Sequence, residues 1–356
     1  MSNSTPNILV ISDCPSPYKV NFFKLLSRCV TLDTYFQTER LNDRNEKWYE
    51  NSKEISYTIL SKNPIKRFWK LLTMNISGYD LFWNLKYLSP DCIIMALKFK
   101  LHKKPILMHA DGGIYKNRGF IVNKLMHIFM NLNTNFTSSG ILCDDYYRYY
   151  GVDDKKILHY RFTSVLQQDV NWLKRSIKDK DLIQLLSVGQ IIHRKGYDVL
   201  IKALKQCNNV KVTVVGGKVT EDLQQLIEQY QVQEKIRFID FVTKDELRKY
   251  YQSADIFVLP TREDIWGLVI NEAIAWGLPC ISTNTCACLA DLNQQSSIGL
   301  MYDCEDVDAL ANCINQLTTD NKLYEKFNSN TEQLAHSYTM ENTVKDYIEI
   351  FKKVLN

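Results

Sequence analysis

Short apolar runs closed by turn residues alternate along the chain with stretches in which apolar positions recur every three to four residues. The first kind reads as buried strand and the second as amphipathic helix. NILVISD (7–13) predicts a buried first strand, and residues 21–29, with Phe22, Phe23, Leu25 and Leu26, predict the helix after it. Strand-like runs recur at 91–96, 105–109 and 135–138, with helices at 120–131 and 144–150. Strands alternating with helices imply a parallel sheet covered on both faces.

The pattern then restarts. Strands are predicted at 182–188, 210–215, 236–238, 256–259 and 279–282, with helices at 197–206, 220–230, 244–253 and 269–276. This second series is a doubly wound domain in itself. Residues 161–180 are polar and aperiodic, so the hinge is placed there, with a first domain over 1–165 and a second over 166–337. The segment 338–356 holds a final helix at 340–355 whose apolar side, Val344, Tyr347, Ile348, Phe351 and Val354, needs a hydrophobic partner.

Composition narrows the class. The 356 residues suit two α/β domains, and 45% hydrophobic with 24% charged residues is ordinary for a water-soluble globular protein. No apolar run reaches membrane-span length, and MSNSTPNILVIS lacks a basic segment before an apolar core, so the expected location is cytoplasmic. The ten cysteines are scattered and expected to be reduced. Cys286 and Cys288 form a Cys-x-Cys without a second ligand pair, short of a zinc spacing, so no metal site is expected.

Charge is uneven. Residues 1–165 carry 23 Lys and Arg against 14 Asp and Glu, a net of +9; the rest carries 21 against 26, a net of −5. The basic half suits an anionic membrane surface or nucleic acid, or is a solvated face. Basic, aromatic-bearing stretches at 65–70 and 116–130 could lie on an anionic membrane, though a core-facing stripe with basic flanks is the commoner meaning of such a pattern.

Two segments carry chemistry. SVGQIIHRKGYDVLIKAL (187–204) runs strand, Gly189, a basic loop with Gln190, His193, Arg194 and Lys195, then Gly196 and a helix. Cations beside a helix N-terminus suit a diphosphate. In PTREDIWGLVINEAIAWGLPCIST (260–283), Gly267 opens a turn, a helix begins near Leu268, and Glu272 lies one turn in, where its carboxylate could take both hydroxyls of a ribose. Asp264 on the preceding loop could hold a sugar hydroxyl. In the first domain, MHADGGIYK (108–116) sets His109 and Asp111 at a strand end, two residues apart and so on one face.

These segments resemble the signature of the family-4 retaining glycosyltransferases. PSPYKVNFF (15–23), the DGG turn (111–113) and YTMENTVKDYIEIF (338–351) resemble the capsule and exopolysaccharide branch of that family in bacteria. The resemblance implies the GT-B fold: two Rossmann-like α/β domains facing a central cleft, an acceptor-binding first and a nucleotide-sugar-binding second, with the last helix crossing back to the first. It implies a donor set of Gly189, Gln190, Arg194, Lys195, Gly216, Asp264, Trp266, Gly267, Leu268 and Glu272, and catalytic roles for His109, Asp111, Lys195 and Asp264. It implies no cofactor and no metal: the nucleotide sugar, expected to be a UDP-sugar, is the co-substrate. The acceptor is expected to be a polyprenyl-diphosphate-linked or other glycan, with peripheral contact to the inner membrane face and no nucleic acid. The sequence departs from the family in having Asp264 for a usual Glu, Gln190 for a usual Arg, and Pro15-Ser16-Pro17-Tyr18 for a glycine-rich loop. A non-catalytic nucleotide-sugar-binding protein and a GT-B nucleotide-sugar epimerase are the alternatives.

Overall fold

The computed structural model describes residues 5–41, 54–86, 89–113 and 119–356. The chain divides into two compact units, Met1–Phe162 with Met340–Asn356, and Thr163–Thr339.

The first unit contains β1 (Asn7–Ser12), α1 (Pro17–Leu26), β2 (Thr31–Phe36), β3 (Thr58–Ile59), α2 (Pro64–Thr73), β4 (Leu81–Asn84), α3 (Pro90–Leu101), β5 (Ile106–His109), α4 (Phe120–Met130), β6 (Asn135–Ser138), α5 (Ile141–Tyr149) and β7 (Ile157–His159). Its strands order as β3-β2-β1-β4-β5-β6-β7, all parallel. The central strands are almost wholly apolar and buried, as a sheet covered on both faces requires.

Residues 91–96 belong to α3, where the pattern predicts a strand. A short apolar run does not distinguish a buried helix from a buried strand. The deciding residues lie just upstream: Ser89 caps the helix by accepting from the Cys92 N–H (3.3 Å), and Pro90 occupies the first turn. The strands on either side of it along the chain are β4 and β5, each only four residues long and wholly buried.

The second unit contains β8 (Ile183–Val188), α6 (Tyr197–Leu204), β9 (Val210–Val215), α7 (Glu221–Tyr230), β10 (Ile236–Ile239), α8 (Lys244–Ser253), β11 (Ile256–Leu259), α9 (Leu268–Ile274), β12 (Cys280–Thr283), α10 (Ala287–Gln295), β13 (Gly299–Tyr302), α11 (Val307–Thr319) and α12 (Asn321–Ser337). Its parallel sheet orders as β10-β9-β8-β11-β12-β13. The order reverses direction at β8, so the loops leaving β8 and β11 adjoin at a switch point, the usual ligand position in such sheets. The aperiodic stretch after Phe162 belongs to this unit. Arg175 ties it down by donating to the carbonyls of Trp276 (2.9 Å) and Ala254 (2.5 Å), and Trp172 donates to Thr331 Oγ1 (2.9 Å).

The last helix, α13 (Met340–Leu355), returns to the first unit. Met340, Val344, Tyr347, Ile350 and Phe351 are buried there; Ile350 takes the inward place that the pattern gives to Ile348. Each such side chain contributes about 1.5–3 kcal/mol by burial. Tyr347 packs among Phe22, Trp83 and Tyr160, and Asp346 pairs with Arg161.

Candidate functional site

In the second unit, β8 ends at Gly189 and leads through Gln190 and a short 3-10 turn, His193–Lys195, into Gly196 and α6. Gly196 sits at φ 69°, in the left-handed region, and a Cβ there would fall 1.9 Å from the Pro260 carbonyl oxygen. Only glycine lets this turn lie against the strand-end loop after β11. The backbone of Gly216, at the end of β9, lies equally close to Gly189: a Cβ would meet the Gly189 carbonyl at 2.3 Å. These glycines pack backbone on backbone beneath the basic turn.

The loop after β11 is fastened to that turn. Arg262 donates its N–H to the Arg194 carbonyl (2.8 Å) and its guanidinium to the His193 carbonyl (2.7 Å), and grips Asp198 with two bonds of 2.9 and 2.8 Å. Arg194 donates to the Glu263 carbonyl (2.6 Å). Held this way, Lys195 Nζ lies 2.5 Å from Asp264 Oδ2, and Arg194 lies 3.9 Å from the same oxygen. Lys195 is 8% exposed. A buried ammonium needs such a partner, and the pair joins the two motifs picked out in the sequence at one point.

Gly267 (φ 98°) opens α9, and Leu268 is its first residue. The helix has only seven residues, so its dipole is a minor source of positive potential beside Lys195 and Arg194. Trp266, between Asp264 and Gly267, is 3% exposed and its indole N–H donates to Asn271 Oδ1 (2.9 Å), so the ring faces the core. Its exposed neighbour is Ile265.

Glu272 accepts from the Tyr251 phenol at Oε2 (2.9 Å) and from Ser164 at Oε1 (3.0 Å). Burial pushes its carboxyl above the ordinary glutamate range; these hydrogen bonds and the Lys244 charge oppose that without cancelling it. The two partners preset the carboxylate, and any hydroxyl ligand must share or displace them.

In the first unit, His109 ends β5 and is buried. Its Nδ1 meets the Tyr347 hydroxyl (2.6 Å) and Thr137 Oγ1 (3.0 Å), and its Nε2 meets Asp111 Oδ1 (2.8 Å). Asp111 Oδ2 also accepts from the Tyr18 phenol (2.7 Å). Burial alone would raise the Asp111 carboxyl, but the His109 hydrogen bond and charge, the Lys19 charge and the Tyr18 hydrogen bond hold it down to about 2. Pro15-Ser16-Pro17-Tyr18, in place of a glycine-rich loop, starts α1 with Ser16 as N-cap and Pro17 in the first turn. It thereby delivers Tyr18 to Asp111 and the buried Lys19 to Asp13 (2.5 Å). Gly112 and Gly113 follow Asp111, and the remainder of that segment, with Lys116, lies outside the described residues.

Sequence reasoning missed Tyr18, Lys19, Tyr251, Ser164, Arg262 and Tyr347. Tyr18 and Lys19 stand in the noted PSPYK opening, and Tyr347 in the stripe of α13. Arg262 stands in the segment 260–283 already singled out, whereas Tyr251 and Ser164 gave no local signal because their partner, Glu272, lies far away in sequence. Among the described residues no cluster of three His, Cys, Asp or Glu is placed to hold a metal ion. Asp306 caps α11 by accepting from the Ala309 N–H (2.9 Å), and Cys286 and Cys288 are buried with thiols pushed up by burial. No helix among the described residues is long and apolar enough to cross a membrane.

Residues 170–334 match the sequence model of the Glycosyl transferases group 1 family. An uncharacterized glycosyltransferase of Methanocaldococcus jannaschii is 26% identical over 191 residues, 52% of this chain and 49% of that protein. The lipopolysaccharide core biosynthesis glycosyltransferase LpsE of Rhizobium meliloti is 27% identical over 168 residues, 47% of this chain and 48% of its own. The chain thus spans about half the length of the curated relatives it matches. The crystal structure of Anabaena HepE in complex with UDP superposes with a TM-score of 0.80 at 15% identity, covering 98% of this chain and 100% of that one. At that identity the likeness establishes the fold: this chain has the GT-B architecture of two Rossmann-like units, and its second unit holds the stretch similar to group 1 glycosyl transferases.

Proposed function

We propose that this chain is a retaining, metal-independent glycosyltransferase. It moves a sugar from a nucleotide-sugar donor, a UDP-sugar in this reading, to a glycan carried on a polyprenyl diphosphate at the inner membrane face. The product belongs to a surface polysaccharide of the capsule or exopolysaccharide kind. The observation that carries the proposal is the Lys195–Asp264 pair, 2.5 Å apart where two strand-end loops meet, inside the stretch that matches the group 1 family. The UDP bound to HepE and the lipopolysaccharide role of LpsE support the donor and product classes.

Breaking the bond between sugar and diphosphate leaves charge on the departing phosphate and positive character on the sugar ring. Lys195, with Arg194 beside it, turns from Asp264 to the phosphate, doing without a metal what a cation does elsewhere. Asp264, released, accepts from a hydroxyl of the transferred sugar. Glu272 takes the ribose, and His109 with Asp111 acts on the reacting sugar. The ribose does not react, so its contacts are alike in ground and transition states and show in KM; contacts to the flattening sugar strengthen and show in kcat. Glu272→Gln is therefore expected to raise donor KM and weaken binding of the free nucleoside diphosphate, and Asp264→Asn to lower kcat while leaving that binding nearly intact. Calorimetry beside steady-state kinetics tests this. The reverse pattern, or no effect of either change, overturns the site.

A further inference from the structure

We infer that the outer side of α2, α3 and α4 in the first unit is an insertion face for an anionic bilayer leaflet. This deepens the reading above by naming the surface through which the chain meets a membrane. The three helices follow β3, β4 and β5, and right-handed crossovers to β4, β5 and β6 set them side by side on one face of the sheet. α2 packs on α3 through Lys98, whose ammonium accepts the role of a cap on the Leu71 and Leu72 carbonyls, and Lys100 reaches the Asn131 carbonyl (2.8 Å) at the end of α4.

Each of the outer helices carries two apolar sides. In α4, Met126, Phe129 and Met130 face the core, while Ile121, Leu125 and Ile128, spaced i, i+4, i+7, face out and are 74%, 53% and 54% exposed. In α2, Leu71 faces the core, while Ile65, Trp69 and Leu72, in the same spacing, face out, with Trp69 57% exposed. Leu97 and Leu101 of α3 are exposed between them. Sequence patterning favours a core stripe for these basic aromatic stretches; the structure turns a second stripe outward on each. Isolated exposed apolar residues are normal, but a contiguous field on three adjacent helices marks an interaction surface.

Charge selects the occupant. Lys66, Lys70, Lys100 and Lys124 are exposed on these helices. Their single carboxylate, Asp91, is buried and answered by Arg67 (3.0 Å) and Gln37 (2.6 Å). Apolar stripes on helices whose exposed charges are all cations fit a leaflet with anionic headgroups, whereas a second copy of this face would meet it with like charge.

The test is co-sedimentation of the whole chain with vesicles of phosphatidylcholine alone or mixed with phosphatidylglycerol. Binding is expected to the mixed vesicles, to weaken with salt as the cations are screened, and to keep a salt-resistant part from the inserted side chains. Changing Trp69, Ile121 and Leu125 together to Ser is expected to weaken binding at least about tenfold. Circular dichroism and nucleoside diphosphate binding should stay unchanged, which separates a lost surface from a lost fold. Transfer to a water-soluble acceptor reports on the catalytic reading independently. Absence of binding to either vesicle, equal binding by the Ser variant, or a concentration-dependent dimer that the same changes abolish would each overturn the inference.

Discussion

Lys195→Met keeps the length of the side chain and removes its charge, leaving Asp264 with only Arg194 at 3.9 Å. Breaking a buried ion pair from one side costs about 3–5 kcal/mol, and a hydrogen bond to a charged group is worth about 1.5–3 kcal/mol. The Asp264 side chain is 16% exposed, so water and Arg194 recover part of the loss. The expected destabilisation is about 2 kcal/mol, read as a lower urea midpoint at unchanged slope. Asp264→Asn strands the ammonium instead and costs a similar amount. The double variant leaves neither charge alone, so its cost should fall short of the sum by about 1–2 kcal/mol. Catalysis should behave differently: Lys195→Met lowers kcat about a hundredfold or more, and the double variant recovers none of it. Strictly additive stabilities would show that the pair is not held in solution. A Lys195→Met enzyme within a few-fold of the parent would remove Lys195 from the mechanism.

Other expectations follow from the same contacts. A carboxyl raised by burial holds its proton more tightly folded than unfolded, so the Glu272 charge costs stability above its folded value and nothing once pH falls below the ordinary glutamate range. Glu272→Gln, which can still accept from Tyr251, should melt no lower than the parent at neutral pH, and any gain should vanish on acidification; a lower melting point at pH 7 refutes the assignment. Tyr347→Phe deletes the 2.6 Å bond to His109, should cost stability about 1 kcal/mol, the worth of one neutral hydrogen bond, and should lower kcat roughly tenfold with donor KM nearly unchanged; a KM effect alone would mean that α13 acts otherwise. Gly196→Ala should destabilise by about 2 kcal/mol or more, because its Cβ meets the Pro260 carbonyl in a left-handed turn, and near-parental melting would contradict that geometry. Activity should persist in EDTA; loss restored by Mg²⁺ or Mn²⁺ would refute the metal-free mechanism.

The second unit was the more legible half because each signal there is local. The runs at 182–188 and 210–215 end in glycine, the helices between them have one apolar side, and Lys195 and Asp264 sit in the two loops that the strand order brings together. The first unit was harder. DCIIMA is as apolar as a strand, and only Ser89 and Pro90 upstream make it a helix. Trp266 stood among loop residues in the sequence, yet Asn271 one turn into α9 draws its indole inward. Tyr251, Ser164, Arg262 and Tyr347 became visible only with the fold, since each meets a partner at least twenty residues away. The outward stripes of α2 and α4 were hidden for another reason: an apolar period fixes that a helix has an apolar side, not whether that side meets protein or something else.

The most direct test of the account is the transfer reaction itself. The chain is incubated with a panel of nucleotide sugars and polyprenyl-diphosphate-linked acceptors, and the products are read by mass spectrometry and by the anomeric signals in NMR. The account predicts that one donor, a UDP-sugar, gives a glycan one sugar longer with the donor's anomeric configuration kept, and that Lys195→Met slows its formation about a hundredfold or more. Release of nucleoside diphosphate without an acceptor product, a product of inverted configuration, or full activity in the Lys195→Met variant would contradict it.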